Sequence, residues 1–321
     1  MPAIDILLLV LSGFFALNMG GSGVAPAFGV ALGSKMIRPR TAFIVYGVFV
    51  VVGALLLGKG VAKTLGNDLV PPVTFDRFTT LAVVGSAALA LLAANILKIP
   101  QSTIWVTVFS ITAVGMVRGN LNTATLFRRI YPAWVALPLA SFALSAGITR
   151  IFYPLRGWNY RLYEHLLKHE WKLKWLVVAS SCYVALANGG NNVANVVGPL
   201  AAAKVLPMRT AFLLMAPIFG FGAALFRSPA KTVGNKVVPI GLFSASIVNM
   251  VTGTILIIAS SFRIPQSLVQ VNMFAVLAVS LVKDGAYQMA RHRTVWRIFT
   301  LWFITPLIAA TTTWMLLVLS K

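Results

Sequence analysis

Long apolar stretches recur along this whole chain and restrict it to one class of fold. Stretches of 17 or more residues, dominated by Leu, Val, Ile, Ala and Phe, follow one another from the N-terminus to the C-terminus. A helix needs about 20 apolar residues to cross a hydrocarbon core about 30 Å thick. Charged residues make up only 10% of the chain, whereas soluble domains contain roughly 25%. The sequence therefore predicts an all-α, polytopic membrane protein, located in the cell (inner) membrane.

The charged residues favour an anionic solute. The 321 residues include 27 Lys and Arg but only six Asp and Glu, and the net charge is +21. The basic residues lie mainly between apolar stretches, which is where topology signals that face anionic lipid headgroups are found. The bilayer, and not nucleic acid, is therefore the expected partner. Cation pathways usually contain intramembrane carboxylates, which are scarce here. Cys182 is the single cysteine, and with three His it provides no metal site, cofactor site or catalytic group set.

Three segments of the first half return in the same order in the second half. Lys35 with Arg40-Thr41-Ala42-Phe43 returns 169 residues later as Lys204 with Arg209-Thr210-Ala211-Phe212. Residues 62–67 return as 230–235, and Ile99-Pro100-Gln101-Ser102 returns as Ile264-Pro265-Gln266-Ser267. The chain is therefore interpreted as an N-terminal membrane repeat (1–150), a basic cytoplasmic linker (151–173) and a C-terminal membrane repeat (174–321).

Each repeat contains about five apolar segments, and an odd number of crossings inverts the second repeat relative to the first. The segments of the first half are 4–33, 41–58, 79–97, 103–117 and 131–149, and those of the second are 175–203, 209–226, 240–262, 267–282 and 296–319. The first segment of each half is long and carries glycines near its centre, at 20–23 and 189–190. Glycine pairs within apolar runs are typical of an unwound turn, although they also serve close helix packing.

An unwound turn inside the membrane would expose the amides of the helix that follows it. Such amides, together with the helix dipole, form an anion site. The predicted backbone donors are Gly21, Ser22, Gly23 and Val24 in the first half, and Gly190, Asn191, Asn192 and Val193 in the second. The Pro-Gln-Ser segments add the hydroxyls of Ser102, Thr103 and Ser267 at the start of a further helix. Helix capping alone would also explain these three residues.

These motifs resemble those of the inorganic phosphate transporter (PiT) family, whose duplicated signature is Gly-Ala-Asn-Asp-x-Ala-Asn. The second copy matches closely, in Gly189-Gly190-Asn191-Asn192-Val193-Ala194-Asn195, and residues 20–29 match more loosely. The family's Pro-Val-Ser-Thr segment has counterparts at 100–103 and 265–267. The resemblance implies an inverted-repeat, cation-coupled oxyanion transporter, commonly a homodimer.

The departures from the family pattern indicate which oxyanion is carried. Met19, Gly23 and Asn192 stand where the family has aspartates that bind sodium or meet phosphate, and Trp105 and Gln270 stand at the family's histidine position. Phosphate near neutral pH carries a proton that a carboxylate can accept, but sulfate has none. A unit charge about 4 Å from a dianion costs on the order of 8 kcal/mol at an effective dielectric constant near 20. The pattern therefore resembles the sulfate permease branch of the family.

The sequence thus predicts a secondary active transporter that imports sulfate by alternating access. Import of a dianion against a negative potential costs about 4.6 kcal/mol per 100 mV and needs coupling. Because the sodium carboxylates are missing, protons are the favoured coupling ion, with Asp284 and Asp5 as candidate carriers. The alternatives are a carrier for phosphate, thiosulfate, sulfite or molybdate, or an anion channel.

Overall fold

The computed structural model describes residues 3–97, 101–154, 157–225, 241–286 and 293–320. Within these ranges the chain is helical, with short turns between helices, and the predicted all-α fold is confirmed. The α-helices are α1 (Ala3–Gly33), α2 (Pro39–Lys63), α3 (Arg77–Ile96), α4 (Thr103–Arg118), α5 (Tyr131–Phe152), α6 (Gly157–Lys168), α7 (Glu170–Asn192), α8 (Ala194–Ala202), α9 (Met208–Leu225), α10 (Leu242–Ser261), α11 (Leu268–Asp284) and α12 (Arg293–Leu319). Short π-helical segments follow α2 at Thr64–Asp68 and precede α5 at Thr125–Ile130.

Seven segments within the described ranges are long and apolar enough to cross a membrane, which makes the chain a multi-pass membrane protein. They are Ala3–Gly33, Pro39–Asp68, Arg77–Ile96, Thr125–Phe152, Met208–Leu225, Leu242–Ser261 and Trp302–Leu319. Helix α4, at 16 residues, is shorter than a bilayer requires.

The predicted unwound turn in the first segment is wrong. Helix α1 continues without interruption through Gly20 and Gly23. In the second half, Gly189 and Gly190 also lie inside a helix, and the interruption is the single turn residue Val193 between α7 and α8. The physical reason is helix packing. A Cβ atom on Gly20 would clash with the carbonyl oxygen of Phe219, and one on Gly189 with that of Val50. These glycines therefore allow close approach of neighbouring backbones.

The glycine contacts obey the internal repeat. A Cβ on Gly222 would clash with the carbonyl oxygen of Leu17, and one on Gly53 with that of Leu186. Adding 169 to the first-half residue and subtracting 169 from the second-half residue converts the Gly20–Phe219 contact into Gly189–Val50. The same operation converts Leu17–Gly222 into Leu186–Gly53. Helix α1 therefore packs on α9 as α7 packs on α2. Lys35 and Lys204, also 169 residues apart, share a left-handed φ of 56° and 55°. The inverted orientation of the halves and their boundaries stay predictions, and the copy at 230–235, like Pro100, lies outside the described residues.

Helices α3 and α4 form a hairpin whose tip lies at the depth of the middle of α1. Arg77, at the start of α3, pairs with Asp5 near the start of α1, and Asn95, near the end of α3, donates to the carbonyl oxygen of Asn18. Asn18 is the central residue of α1, so α3 runs alongside α1 only to its midpoint. Helix α4 then returns, and Arg118 at its end pairs with Asp76 just before α3. The two ends of the hairpin therefore lie close together, near the start of α1.

Helices α10 and α11 form the corresponding hairpin beside α7. Asn249 of α10 donates to Ser180 and Ser181, and Asn191 at the end of α7 donates to Ser260 eleven residues further along α10. Helices α7 and α10 therefore run in parallel, and the turn 262–267 lies next to the end of α7.

Part of the predicted linker is helical and solvent-facing. Helix α6 carries an ion pair between Lys168 Nζ and Glu164 Oε1 at 2.7 Å, and the glutamate raises the pKa of the lysine. Both partners are exposed, so the pair contributes little to stability.

Candidate functional site

A small cavity lies where the two hairpin tips meet the middle of α1 and the end of α7. It has a volume of about 10 Å³, which is roughly the space of one water molecule. A tetrahedral oxyanion would therefore enter only if the surrounding elements moved apart. The residues lining the cavity come from both halves: Met19, Ser22, Gly23, Gln101, Thr103, Asn192, Ser267, Leu268 and Val269.

The N-termini of two helices point into this region. Ser102 is the N-cap of α4, and its Oγ accepts from the Trp105 amide at 3.3 Å. Ser267 caps α11 in the same way and accepts from the Gln270 amide at 3.3 Å. The first amides of a helix have no partner within the helix, and Leu268 and Val269 are the first two residues of α11. Helix N-termini of the kind that can bind an anion are thus present at the two hairpin tips, whereas the helix start expected at Val24 does not exist because α1 is continuous there.

A buried hydrogen-bond network crosses the cavity and joins the halves. Asn188 Nδ2 donates to the Tyr46 hydroxyl at 2.7 Å, and Asn192 Nδ2 donates to Asn188 Oδ1. Thr103 Oγ1 donates to Asn192 Oδ1 at 3.0 Å and accepts from Asn195 Nδ2 at 3.2 Å. All five side chains are buried. Every link in this network is neutral.

Asn191 holds the second hairpin tip in place. Its Nδ2 donates to Ser260 Oγ at 2.9 Å and to the Ile264 carbonyl at 3.1 Å, while its Oδ1 accepts from the Gln266 amide at 2.9 Å. The Asn191 amide group is thus engaged with the protein, and the residue positions Ser267 instead of lining the cavity.

The structure brings five of the predicted site residues to the cavity wall, namely Ser22, Gly23, Thr103, Asn192 and Ser267. Ser102 caps α4 beside them. Gly21, Val24 and Val193 are buried without lining the cavity, and Gly190 faces α2, where an added Cβ would lie 2.6 Å from Leu57 Cβ.

The two candidate proton carriers lie away from the cavity. Asp5 is buried in an ion pair with Arg77, its Oδ1 3.1 Å from the arginine Nε. Asp5 lies 17 residues before Ser22 in α1, a distance of about 25 Å along a helix. Asp284 is exposed at the end of α11 and accepts from Ser280 Oγ at 3.0 Å. Neither carboxylate contributes to the cavity, and its lining residues carry no formal charge.

Several residues of the site were not predicted from the sequence. Gln101, Leu268 and Val269 lie beside the predicted serines, so the helix-start pattern already pointed to them. Asn195 is the last residue of the family signature. Asn188 stands directly before the glycine pair of the second half, whereas Tyr46 gave no signal, because it lies in an apolar run 142 residues from its partner Asn188.

A sequence model of the Phosphate transporter family matches residues 19–313. The chain belongs to this family. Sulfate permease CysP of Bacillus subtilis is 30% identical to it, over 97% of this chain and 87% of that protein. A putative phosphate permease of Methanocaldococcus jannaschii is 22% identical, over 94% of this chain and 93% of the other.

Among solved structures, a sodium-dependent phosphate transporter matches with a TM-score of 0.81 and 21% identity, covering 98% of each chain. This likeness shows that the family member described here shares that fold. Its relatives are sulfate and phosphate permeases, so the family is one of transporters and not of enzymes.

Proposed function

We propose that this protein is a secondary active sulfate transporter of the cell membrane. The observation that carries the proposal is the neutral cavity between the hairpin tips. Gly23 and Asn192 line it, at positions where the family resemblance implies aspartates. Hydroxyls, the amide side chains of Gln101 and Asn192, and the N-termini of α4 and α11 surround it. None of these groups places a negative charge beside a dianion, and the first amides of the two helices can donate hydrogen bonds to it.

The discrimination against phosphate follows from the same groups. Hydrogen phosphate carries a proton that needs an acceptor, and a buried donor without an acceptor is costly. A site that presents helix amides and no carboxylate acceptor therefore favours sulfate over phosphate. The similarity to the Bacillus subtilis sulfate permease supports the same substrate.

Coupling to protons is part of this proposal, because import of a dianion into a negative compartment needs an energy source. Asp5 and Asp284 remain the candidate carriers. Both lie outside the cavity, so a role for either requires that its protonation act through helix movement. Asp5 is connected to the second half of the chain, because its partner Arg77 also donates to the Ala203 carbonyl. Assembly as a homodimer stays a prediction from the family resemblance.

Uptake of radiolabelled sulfate by proteoliposomes tests the proposal. We expect accumulation above the external concentration when a proton gradient is imposed inwards, and little without it. Excess phosphate should compete weakly. Downhill flux without accumulation would indicate a channel, and equal competition by phosphate would contradict sulfate selectivity. Thiosulfate, sulfite and molybdate in the same competition assay test the other oxyanions.

A further inference from the structure

Tyr46 is the first-half end of the hydrogen-bond network at the cavity. It lies in the first third of α2, is fully buried, and contacts α7 through its hydroxyl, which is 2.7 Å from Asn188 Nδ2. Its ring packs edge-on against Phe28 of α1 at a centroid distance of 6.2 Å. Tyr46 does not line the cavity. Any influence on the bound solute must therefore pass through other residues.

The network links Tyr46 to the orientation of Asn192. Asn195 Nδ2 donates to Thr103 Oγ1 at 3.2 Å and lies 3.7 Å from Met19 Sδ, which can only accept, so the Thr103 hydrogen is left for Asn192. Asn192 Nδ2 in turn donates to Asn188 Oδ1, and Asn188 Nδ2 donates to the Tyr46 hydroxyl, which is the acceptor that ends the series. The Asn192 oxygen then faces Thr103 and accepts from its hydroxyl at 3.0 Å. An amide has distinct donor and acceptor ends, so each bond in the series fixes the direction of the next.

This orientation decides what Asn192 can offer an anion. Its oxygen is covered by the Thr103 hydroxyl, and one of its two N–H groups is used by Asn188. The second N–H has no hydrogen-bond partner among the contacts of the described residues. A reversed amide would present its oxygen in place of that N–H. That oxygen would repel sulfate and would accept a hydrogen bond from a protonated oxyanion.

Gly23 makes the arrangement possible. A Cβ atom on Gly23 would lie 2.5 Å from both the Tyr46 hydroxyl and Asn188 Nδ2. The Tyr46–Asn188 pair therefore occupies the space that any side chain at position 23 would need. The Tyr46–Asn188 hydrogen bond therefore requires a glycine at position 23.

We infer that Tyr46 is a positioning and specificity-determining residue, because its hydroxyl is the last acceptor of the network that orients the Asn192 amide towards an oxyanion without hydrogens. This inference rests on the proposed function, since it names the determinant of the selectivity proposed for the same cavity. The tyrosine acts through Asn188 and Asn192, not by contact with the solute.

Sulfate and phosphate binding to the purified protein tests this inference, because binding needs no coupling ion. In Tyr46→Phe we expect sulfate affinity to fall about fivefold or more, as for loss of a buried hydrogen bond, with a smaller change for phosphate. The ratio of the two affinities is the decisive readout, since a general loosening of the fold would weaken both alike. Tyr183→Phe is the matched control, because Tyr183 of α7 also bonds through its hydroxyl, to Thr254 at 3.1 Å, outside the network.

A double-mutant cycle separates positioning from direct effects. In an Asn192→Ala background, Tyr46→Phe should cause no further change in the affinity ratio. An unchanged ratio in Tyr46→Phe, or an equal effect with and without Asn192, would overturn the inference. If the wild-type protein binds no sulfate, the proposed function itself fails. If Tyr46→Phe does not fold, Asn188→Leu removes the same link from the opposite side and should shift the ratio in the same direction.

Discussion

Thr103 Oγ1 lies 3.0 Å from Asn192 Oδ1, and this hydrogen bond joins the first hairpin tip to the end of α7 in the other half of the chain. It engages the oxygen of a neutral amide at the cavity wall. The contact also closes the cavity, which is too small for an oxyanion. Under the proposed function, binding and release of a solute involve separation of the hairpin tips from α1 and α7, and the residues at these contacts are the natural places to test transport.

Asn192→Asp should reduce sulfate uptake about tenfold or more at neutral pH, because a carboxylate beside the dianion repels it. The defect should lessen as the pH falls, since the protonated acid is neutral. Initial rates of labelled sulfate uptake between pH 5 and 8 measure this. Asn122→Asp, which adds the same charge in an exposed loop, should behave as wild type. A variant with unchanged uptake throughout this pH range would show that the Asn192 side chain does not meet the solute.

Ser267→Ala should lower both stability and sulfate affinity. Loss of an N-cap costs about 1 kcal/mol, and Ser267 additionally lines the cavity. Asp76→Ala is the matched control, since Asp76 caps α3 by accepting from the Thr79 amide at 2.7 Å, away from the cavity. Thermal unfolding and sulfate binding should separate the two variants. Both should unfold at a lower temperature, and only Ser267→Ala should bind sulfate more weakly.

Gly20→Ala and Gly189→Ala should each destabilise the protein strongly, because the added Cβ meets a backbone carbonyl that no rotamer change can move aside. We expect a loss of about 2 kcal/mol or more, as for overpacked cores. Gly85→Ala has no atom within 4 Å of its new methyl group and should leave stability equal or improve it by about 0.5–1 kcal/mol. Thermal denaturation in detergent compares the three. Wild-type stability of Gly20→Ala would mean that α1 and α9 are not in close contact.

Gly23→Asp should fail to restore the family pattern on its own, because its Cβ would collide with the Tyr46 hydroxyl and Asn188. Sulfate uptake should be lost without any gain in phosphate uptake. The smaller Gly23→Ala should show a partial loss of the same kind. Uptake of both labelled anions measures the outcome, and efficient phosphate transport by Gly23→Asp would refute the steric reading of this position.

Asp5→Asn tests the coupling part of the proposal. If Asp5 carries protons, gradient-driven accumulation of sulfate should disappear while exchange of internal for external sulfate continues. If Asp5 serves only its ion pair with Arg77, accumulation should persist and the unfolding temperature should fall. Parallel accumulation, exchange and unfolding measurements distinguish these results, and Asp284→Asn should be carried through the same assays.

The sequence determined the all-helical membrane fold, and it predicted the duplicated organisation and several residues of the cavity. Apolar stretches with few charges have one stable arrangement in a bilayer, because each backbone polar group must be bonded within a helix. Ser102, Thr103, Ser267 and Asn192 were recognisable because capping signals and motif positions are local patterns. Their lack of neighbouring carboxylates could be seen in composition alone.

Tertiary structure decided what the glycines do and how the site is assembled. In the sequence, Gly20 and Gly189 are compatible with a broken helix and with close helix packing. The carbonyl groups of Phe219 and Val50, which lie against these glycines, show that they serve packing. Likewise, Tyr46 joins the site through a partner in the other half of the chain. Such contacts depend on how two distant helices approach each other, and no local pattern in either helix records that approach.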